Sequence, residues 1–165
     1  MRRNTNRWEL NLEENTAKCI TKKNDFVIID LEDYEKVSQY TWHKNSKGYF
    51  QTGRIPLTLH HLLIGKPARE METDHINRNI KDNRKTNLRF VTHHQNVFNA
   101  CGNSSATSKY KGVCWDKRYK KWHVRIMFCG KQYHLGYFDS EVEAAKAYDK
   151  KAAELFGAYA FLNSV

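Results

Sequence analysis

At 165 residues the chain has room for one ordinary domain or two small ones, and its net charge of +10 at pH 7 favours a polyanionic partner, a nucleic acid or an anionic membrane surface. Hydrophobic residues make up 40% and aromatics 13%, a composition that argues against intrinsic disorder. No apolar run approaches the ~20 residues needed to span a bilayer, and no apolar segment follows the basic Met1-Arg2-Arg3-Asn4, so neither a membrane protein nor a secretory signal is expected.

The four cysteines, Cys19, Cys101, Cys114 and Cys129, show no zinc-knuckle spacing. They read as free thiols in a reducing compartment, and a cytoplasmic protein without membrane contact is expected.

Residues 1–57 form a strand-rich module. Cys19-Ile20-Thr21 and Phe26-Val27-Ile28-Ile29 read as two strands joined by the polar turn Lys22-Lys23-Asn24-Asp25. In Asp30 to Val37, Leu31, Tyr34 and Val37 recur at helical spacing behind an acidic first turn. Trp42 and Tyr49-Phe50 flank Asn45-Ser46-Lys47-Gly48, a second hairpin candidate. Leu57 to Ile64 reads as a strand or a short helix, ending at Gly65-Lys66-Pro67. Met71 to Ile76 and Leu88 to Val91 read as strands on either side of a loop rich in Asn, Asp, Arg and Lys. Thr92-x-x-Gln95 fits a capping box, which starts a helix at Thr92 and puts Asn96 in its first turns.

Residues 101–108, Cys-Gly-Asn-Ser-Ser-Ala-Thr-Ser, carry no charge and no large side chain and read as a linker. Beyond it, Tyr110 to Trp115, Trp122 to Phe128 and Gln132 to Phe138 read as three strands, and Glu141 to Phe156 as a helix capped by Ser140 and stopped by Gly157. Ala144, Ala145, Tyr148, Ala152 and Leu155 give that helix one apolar face. Residues 109–138 hold eight Lys or Arg against the single acid Asp116, whereas residues 139–156 hold three basic and five acidic residues. A basic sheet backed by a mildly acidic helix presents one face to a polyanion. Alternation turns Trp122, Val124, Ile126, Tyr133 and Leu135 toward the helix, and His123, Arg125, Met127, Gln132 and His134 away from it.

The chemistry concentrates in residues 73–96. Phosphodiester hydrolysis near neutral pH needs a base for the water, a cation for the charge that develops, and an in-line arrangement. Asp74 can offer a carboxylate oxygen to a hard cation such as magnesium, and Asn96 a neutral amide oxygen, which leaves positions open for water and phosphate. His75, with an ordinary pKa of ~6.5, can accept a proton at pH 7. Adjacent strand residues point to opposite faces, so the strand must end or bend at Asp74-His75 for both to converge on one phosphate.

Asp74-His75-Ile76-Asn77-x-Asn79, Asp82-Asn83-Arg84-x-x-Asn87-Leu88-Arg89 and Thr92-x-x-Gln95-Asn96 together resemble the HNH nuclease motif of ββα-metal type, as found in phage and intron homing endonucleases. The resemblance implies His75 as general base, Asp74 and Asn96 as ligands of a divalent metal (magnesium, with manganese as the alternative), and Asn87 as the central Asn that fixes the loop. Leu59-His60-His61-Leu62-Leu63 is similar to an upstream Leu-His-Arg-Leu-Ile stretch, with His61 departing from its Arg. His60 reads as an accessory residue, structural or phosphate-contacting rather than a second base. His93 and His94 read as DNA-facing or solvated. Some relatives place a third ligand where this chain has Ala100, so a three-ligand zinc-like site is not expected.

Residues 109–163 are similar to the Apetala-type, or ethylene-response-factor, DNA-binding domain, through Tyr110-Lys111-Gly112-Val113, Trp122 to Ile126, His134-Leu135-Gly136-Tyr137-Phe138-Asp139 and Glu143 to Asp149. That family lays a three-stranded sheet in the major groove with its helix behind. Lys111 matches a DNA-contacting position. Cys114 and Met127 stand where plant members often carry base-reading arginines, and Arg125 where they often carry an acid. Lys117, Arg118, Lys120 and Lys121 are expected to grip phosphate, and Arg125 to read guanine, with His123, Gln132 and His134 on the same face.

The expectation is an α+β protein: a β-rich module over 1–57, an HNH motif of ββα-metal type over 58–100, a linker over 101–108, and a three-stranded antiparallel sheet packed on one helix over 109–165. Its expected function is that of a site-specific, homing-type endonuclease acting on double-stranded DNA, as a monomer that nicks or cuts sequentially. The alternative is a non-catalytic, sequence-specific DNA-binding regulator with a degenerate nuclease fold.

Overall fold

A computed structural model describes residues 6–53, 57–99, 107–163 and 165. The fold is α+β, with four small antiparallel sheets and four α-helices among those residues. The chain divides into two compact units, residues 1–93 and 94–165. The expected linker lies outside the described residues except for its last two. Thr107 Oγ1 accepts from the Trp115 amide at 2.8 Å, and Ser108 Oγ donates to Glu141 Oε1 at 2.7 Å. Cys101 and Ala100 are likewise outside the described residues.

The first unit opens with β1 (Arg7–Asn11), β2 (Thr16–Ile20) and β3 (Phe26–Asp30), paired in that order. β1 was not expected. Its only large apolar side chains are Trp8 and Leu10, and Leu10 is 51% exposed, so an edge strand of this composition carries no run to detect. A 3-10 turn (Leu31–Asp33) leads into α1 (Tyr34–Ser38). β4 (Trp42–Lys44), β5 (Phe50–Thr52) and β6 (Leu57–Thr58) form a second sheet, and α2 (Leu59–Ile64) follows directly. Residues 57–64 are thus both strand and helix.

β7 (Met71–His75) and β8 (Leu88–Thr92) then pair antiparallel, with Asp74 opposite Arg89 and His75 opposite Leu88. One core serves the whole unit: Ala17, Cys19, Val27, Ile29, Val37, Trp42, Phe50, Leu59, Leu63 and Leu88 pack together. Each such side chain, fully buried, contributes about 2 kcal/mol relative to exposure. Buried in this core, the Cys19 thiol is pushed up to about 12, which keeps it protonated and inert.

α3 (His93–Asn99) follows β8 without an intervening residue. In the second unit, the ring of Phe98 stacks on Phe156 at 4.1 Å and lies 6.0 Å from Phe128. The Phe98 carbonyl accepts from Lys111 Nζ at 3.0 Å and from the Phe161 amide at 3.3 Å. β9 (Val113–Asp116), β10 (Lys121–Phe128) and β11 (Lys131–Phe138) form the sheet, with β10 central. The first strand starts at Val113 rather than Tyr110, because Gly112 takes φ +77°. α4 (Glu141–Phe156) has the expected bounds. Ser140 Oγ accepts from the Glu143 amide at 3.4 Å, and Gly157 ends the helix at φ +53°. Val113, Val124, Ile126, Ala144, Ala145, Tyr148, Ala152 and Phe156 form the second core.

The alanines of α4 let the helix lie close to the sheet, and Gly112 extends that closeness. A Cβ on Gly112 would overlap the Tyr148 ring and stand 2.8 Å from the Arg125 carbonyl oxygen, whereas one on Gly130 would meet nothing within 4 Å at a similar φ of +73°. Gly112→Ala therefore combines backbone strain with overpacking and should cost about 3 kcal/mol. Gly130→Ala, with strain alone, should cost about 1 kcal/mol. Thermal unfolding of the two variants measures the difference, and equal losses would show that the Gly112–Tyr148 approach does not constrain this unit.

Candidate functional site

β7 ends at His75 and the chain turns at once. The Arg78 amide donates to the His75 carbonyl at 2.7 Å, and the Ile76 amide to the Asn87 carbonyl at 2.9 Å. Both side chains at this strand end are buried, Asp74 with 7% and His75 with 4% of its surface exposed. Buried polar groups need partners, and each has them. Arg89, opposite Asp74, donates from both Nε and Nη2 to Asp74 Oδ2 at 2.8 Å, and its own side chain is largely buried. His75 Nε2 lies 3.4 Å from Asn83 Oδ1.

His75 sits among rings. Tyr49 stacks over it with centroids 6.2 Å apart, and His60 stands edge-on at 5.9 Å. Tyr49 in turn meets His60 at 5.2 Å, and His60 Nε2 lies 3.1 Å from Thr58 Oγ1. Burial lowers the pKa of His75. The hydrogen bond to Asn83 and the charges of Asp74 and Asp82 oppose that shift without reversing it. At neutral pH the ring is uncharged and one of its nitrogens carries a lone pair. Burial, reinforced by His61 and His75, takes His60 down to about 3, so His60 stays neutral beside His75.

The loop between the strands is closed by Asn87. Its Oδ1 accepts from the Asn77 amide at 2.9 Å, and its Nδ2 donates to Asn77 Oδ1 at 2.9 Å and to the Asp82 carbonyl at 2.7 Å. Arg84 grips Asp82 with Nε at 2.8 Å and Nη2 at 2.7 Å, and Asp82 also accepts from Asn77 Nδ2. These contacts, led by the Arg84 hydrogen bond, hold the Asp82 carboxyl below its usual range. The loop is tied to β3 as well: the Ile28 amide donates to the Lys81 carbonyl at 2.7 Å, and the Asn83 amide to the Ile28 carbonyl at 2.8 Å.

Asn96 is half-buried in α3, in the second compact unit. His93 is exposed and its Nδ1 lies 2.9 Å from Glu72 Oε1. Among the described residues no three His, Cys, Asp or Glu side chains gather as a metal-binding group. A carboxylate such as that of Asp74 offers hard oxygen donors, which suit magnesium or manganese with water and phosphate completing the shell. The Asp74–Arg89 pair fits this use, because Arg89 supplies the positive charge that a buried carboxylate needs before any cation arrives.

On the second unit, His123, Arg125, Met127, Gln132 and His134 lie on the face opposite the core. A register shift between Val124 and Arg125 sets Arg125 opposite His134. His123 Nε2 lies 3.2 Å from His134 Nδ1, and His134 Nε2 lies 2.9 Å from Gln132 Nε2. Tyr137 stacks on His123 at 4.9 Å, and Tyr119 tilts against Tyr137 at 4.8 Å. Burial lowers the His123 pKa, with His134 and Arg125 adding to the effect and Asp116 opposing it. Lys117 and Arg118 stand exposed at the β9–β10 turn, and Lys121 pairs with Asp139 at 3.1 Å. Lys111 is placed differently. Its ammonium bonds the Phe98 carbonyl and lies 5.3 Å from the Phe161 ring centre, and its amide donates to Asn163 Oδ1.

The sequence is 31% identical over 151 residues to an uncharacterized HNH endonuclease of Acanthamoeba polyphaga mimivirus, across 87% of this chain and 77% of that relative. This chain belongs to the HNH endonuclease family. A 64-residue stretch is 42% identical to the AP2-like ethylene-responsive transcription factor TOE2 of Arabidopsis thaliana, and a 62-residue stretch is 42% identical to APETALA2-like protein 2 of Oryza sativa. These stretches are 39% and 38% of this chain but only 13% and 14% of the plant proteins, so the likeness is to one module of each. No family model matches the chain, and no solved structure does. Among the described residues no helix is long and apolar enough to cross a membrane.

Sequence reasoning did not assign roles to Arg89, Asn83 or Tyr49. Arg89 could have been found by pairing the two strands with His75 opposite Leu88. Asn83 stood in the quoted motif, but its contact with His75 needs the folded loop. Nothing in the sequence announces Tyr49.

His60 carries a pH signature. The unfolded chain protonates it near 6.5 and the folded chain only near 3, so between those values the unfolded state binds more protons. Stability therefore rises with pH in that window and is lost on acidification through it. His60→Gln, with no group to titrate, should show a flatter decline of Tm from pH 6.5 to 3 than the parent. Parallel curves would show that His60 is protonated at no cost to the fold.

Proposed function

We propose that the protein is a site-specific DNA endonuclease of the homing type, hydrolysing phosphodiester bonds with a divalent metal and His75 as general base. The observation that carries this is the buried Asp74–His75 pair at the end of β7, in a chain of the HNH endonuclease family. His75, uncharged at neutral pH, accepts the proton of the attacking water at a ring nitrogen. Asp74 and Asn96 would hold the metal, magnesium with manganese as a substitute. When bound, the metal would stabilise the charge that builds on the phosphate and leaving oxygens. Arg89, on Asp74 Oδ2, balances the charge of that carboxylate. Asn87 keeps the loop between β7 and β8 closed, which supports the reading of this hairpin as the front of a ββα-metal motif.

Residues 1–57 and 58–100 provide the nuclease, and 109–165, beyond the linker 101–108, provide an ethylene-response-factor-like module for double-stranded DNA. Lys117, Arg118 and Lys121 grip phosphates, which positions the chain without reading sequence. Arg125, His123, Gln132 and His134 face the bases, and Lys111 supports them from the edge of the sheet. The chain acts as a cytoplasmic monomer and cuts one strand at a time.

Supercoiled plasmid carrying the DNA that flanks the gene should be cut with magnesium and left intact with chelator. His75→Ala should abolish cutting and leave DNA binding within a few-fold of the parent. Cutting by that variant would remove His75 as the base. Binding without cutting by the parent under every metal tested would favour a DNA-binding regulator instead.

The basic turn is better tested by charge removal than by deleting residues 107–165, since deletion would strip Phe98 of Phe128 and Phe156. Lys117→Gln, Arg118→Gln and Lys121→Gln combined should reduce the slope of log affinity against log salt by about 0.9 per lost phosphate contact. An unchanged slope would mean that this turn does not meet the phosphates.

A further inference from the structure

We propose that Asn83 is a positioning residue for His75, its side-chain oxygen fixing the ring proton on Nε2 so that Nδ1 is the nitrogen that accepts a proton. This rests on the reading of His75 as general base, and it names which atom acts and what selects it.

The argument starts from the orientation of the amide. Asn83 is 2% exposed, so its polar atoms must be satisfied within the protein. Its Nδ2 donates to the Ile80 carbonyl at 2.9 Å. Turning the amide over would set Oδ1 against the Ile80 oxygen, two acceptors with no proton between them, and is therefore disfavoured. With Nδ2 committed to Ile80, it is Oδ1 that faces His75 Nε2, at 3.4 Å. An oxygen that can only accept requires a donor opposite, so Nε2 carries the hydrogen. In an uncharged imidazole the other nitrogen, Nδ1, then holds the lone pair.

The backbone of Asn83 is fixed too. Its amide donates to the Ile28 carbonyl at 2.8 Å, which anchors it to β3. The ring it addresses is confined by Tyr49 on its face and His60 at its edge. The 3.4 Å separation has room to shorten when substrate binds, as catalytic hydrogen bonds commonly do. The chain thus holds its base by a residue that is itself held at two atoms, its backbone amide and Nδ2.

The test combines a spectrum with kinetics. In protein labelled with 15N-histidine and free of metal, long-range proton–nitrogen correlation should show His75 protonated at Nε2 and bare at Nδ1, with slowed exchange of the Nε2 proton. Asn83→Ala should speed that exchange and lower single-turnover cleavage roughly 10- to 100-fold, the usual cost of losing an orienting partner, with little change in DNA affinity. Asn83→Asp keeps an acceptor oxygen opposite Nε2 but loses the donor to the Ile80 carbonyl, so it should restore the slow proton and the rate in part, above the level of Asn83→Ala. Its fold is checked independently by circular dichroism.

A proton on Nδ1 in the parent, or identical proton exchange in Asn83→Ala, would overturn the proposal. The spectrum does not depend on cleavage. Were His75→Ala to cut DNA, the base assignment would fall while the Nε2–Asn83 contact remained. Were the spectrum to fail while His75→Ala stayed inactive, only the role of Asn83 would fall.

Discussion

The nine-residue passage between the last residue of β7 and the 3-10 turn before β8 must satisfy its own backbone while staying close to the strands it joins. Asn87 makes this possible. One buried side-chain amide closes both ends of the loop through the Asn77 amide, Asn77 Oδ1 and the Asp82 carbonyl. Asp82 and Arg84 brace the middle, and Ile28 of β3 holds the loop on both sides of Asp82. With the loop fixed, Asn83 is held beside His75, its Oδ1 3.4 Å from Nε2. A polar network of this kind is rigid only when every member is satisfied. Losing one partner leaves a buried group unpaired, at a cost of about 1–3 kcal/mol.

Asp74 shows the opposite demand. A buried carboxylate needs a positive partner, and one proposed to hold a metal must also be able to change partners. Arg89 suits both needs. Its two contacts converge on a single oxygen, Oδ2, and its delocalised charge is more weakly hydrated than an ammonium, so it tolerates burial. A lysine there would offer a point charge without the fork. The cross-strand register alone puts the pair in place, since Asp74 and Arg89 face each other in the ladder. The hairpin is therefore both a scaffold and the source of the charge balance at the site.

What could be read from the sequence divides along the range of the interactions. α4 was legible at both ends, because Ser140 and Gly157 act within a turn of the helix they bound. β10 and β11 were legible because alternation and hairpin turns are local. Asp74, His75 and Asn87 were singled out by resemblance, and all three are buried. The ring packing of Tyr49 on His75 was not legible, since it joins residues 26 positions apart through two separate sheets. Nor was the tie between Ile28 and Lys81, or the placement of Lys111, whose ammonium turns to a carbonyl of α3. In each case the sequence supplied the residue type, and only the assembled core determined its partner.

The same distinction applies to the face that is read as meeting DNA. A run of lysines and arginines sets charge, and charge needs no particular geometry to attract a polyanion. Reading bases does need geometry, and on the proposed reading it would come from side chains that contact one another. His123, His134 and Gln132 contact one another in a chain across β10 and β11, with Tyr137 and Tyr119 extending the row of rings. Linked side chains lose less freedom on binding than isolated ones. The register shift after Val124 matters for the same reason. It brings Arg125 opposite His134, so its forked donor stands beside the linked rings. Where plant relatives of this module often carry arginines, this sheet has Cys114 and Met127, which can present no such fork. On the proposed reading of this face, Arg125 and its histidine and glutamine neighbours are left to discriminate among sequences, and their mutual contacts give such a sparse set a defined shape.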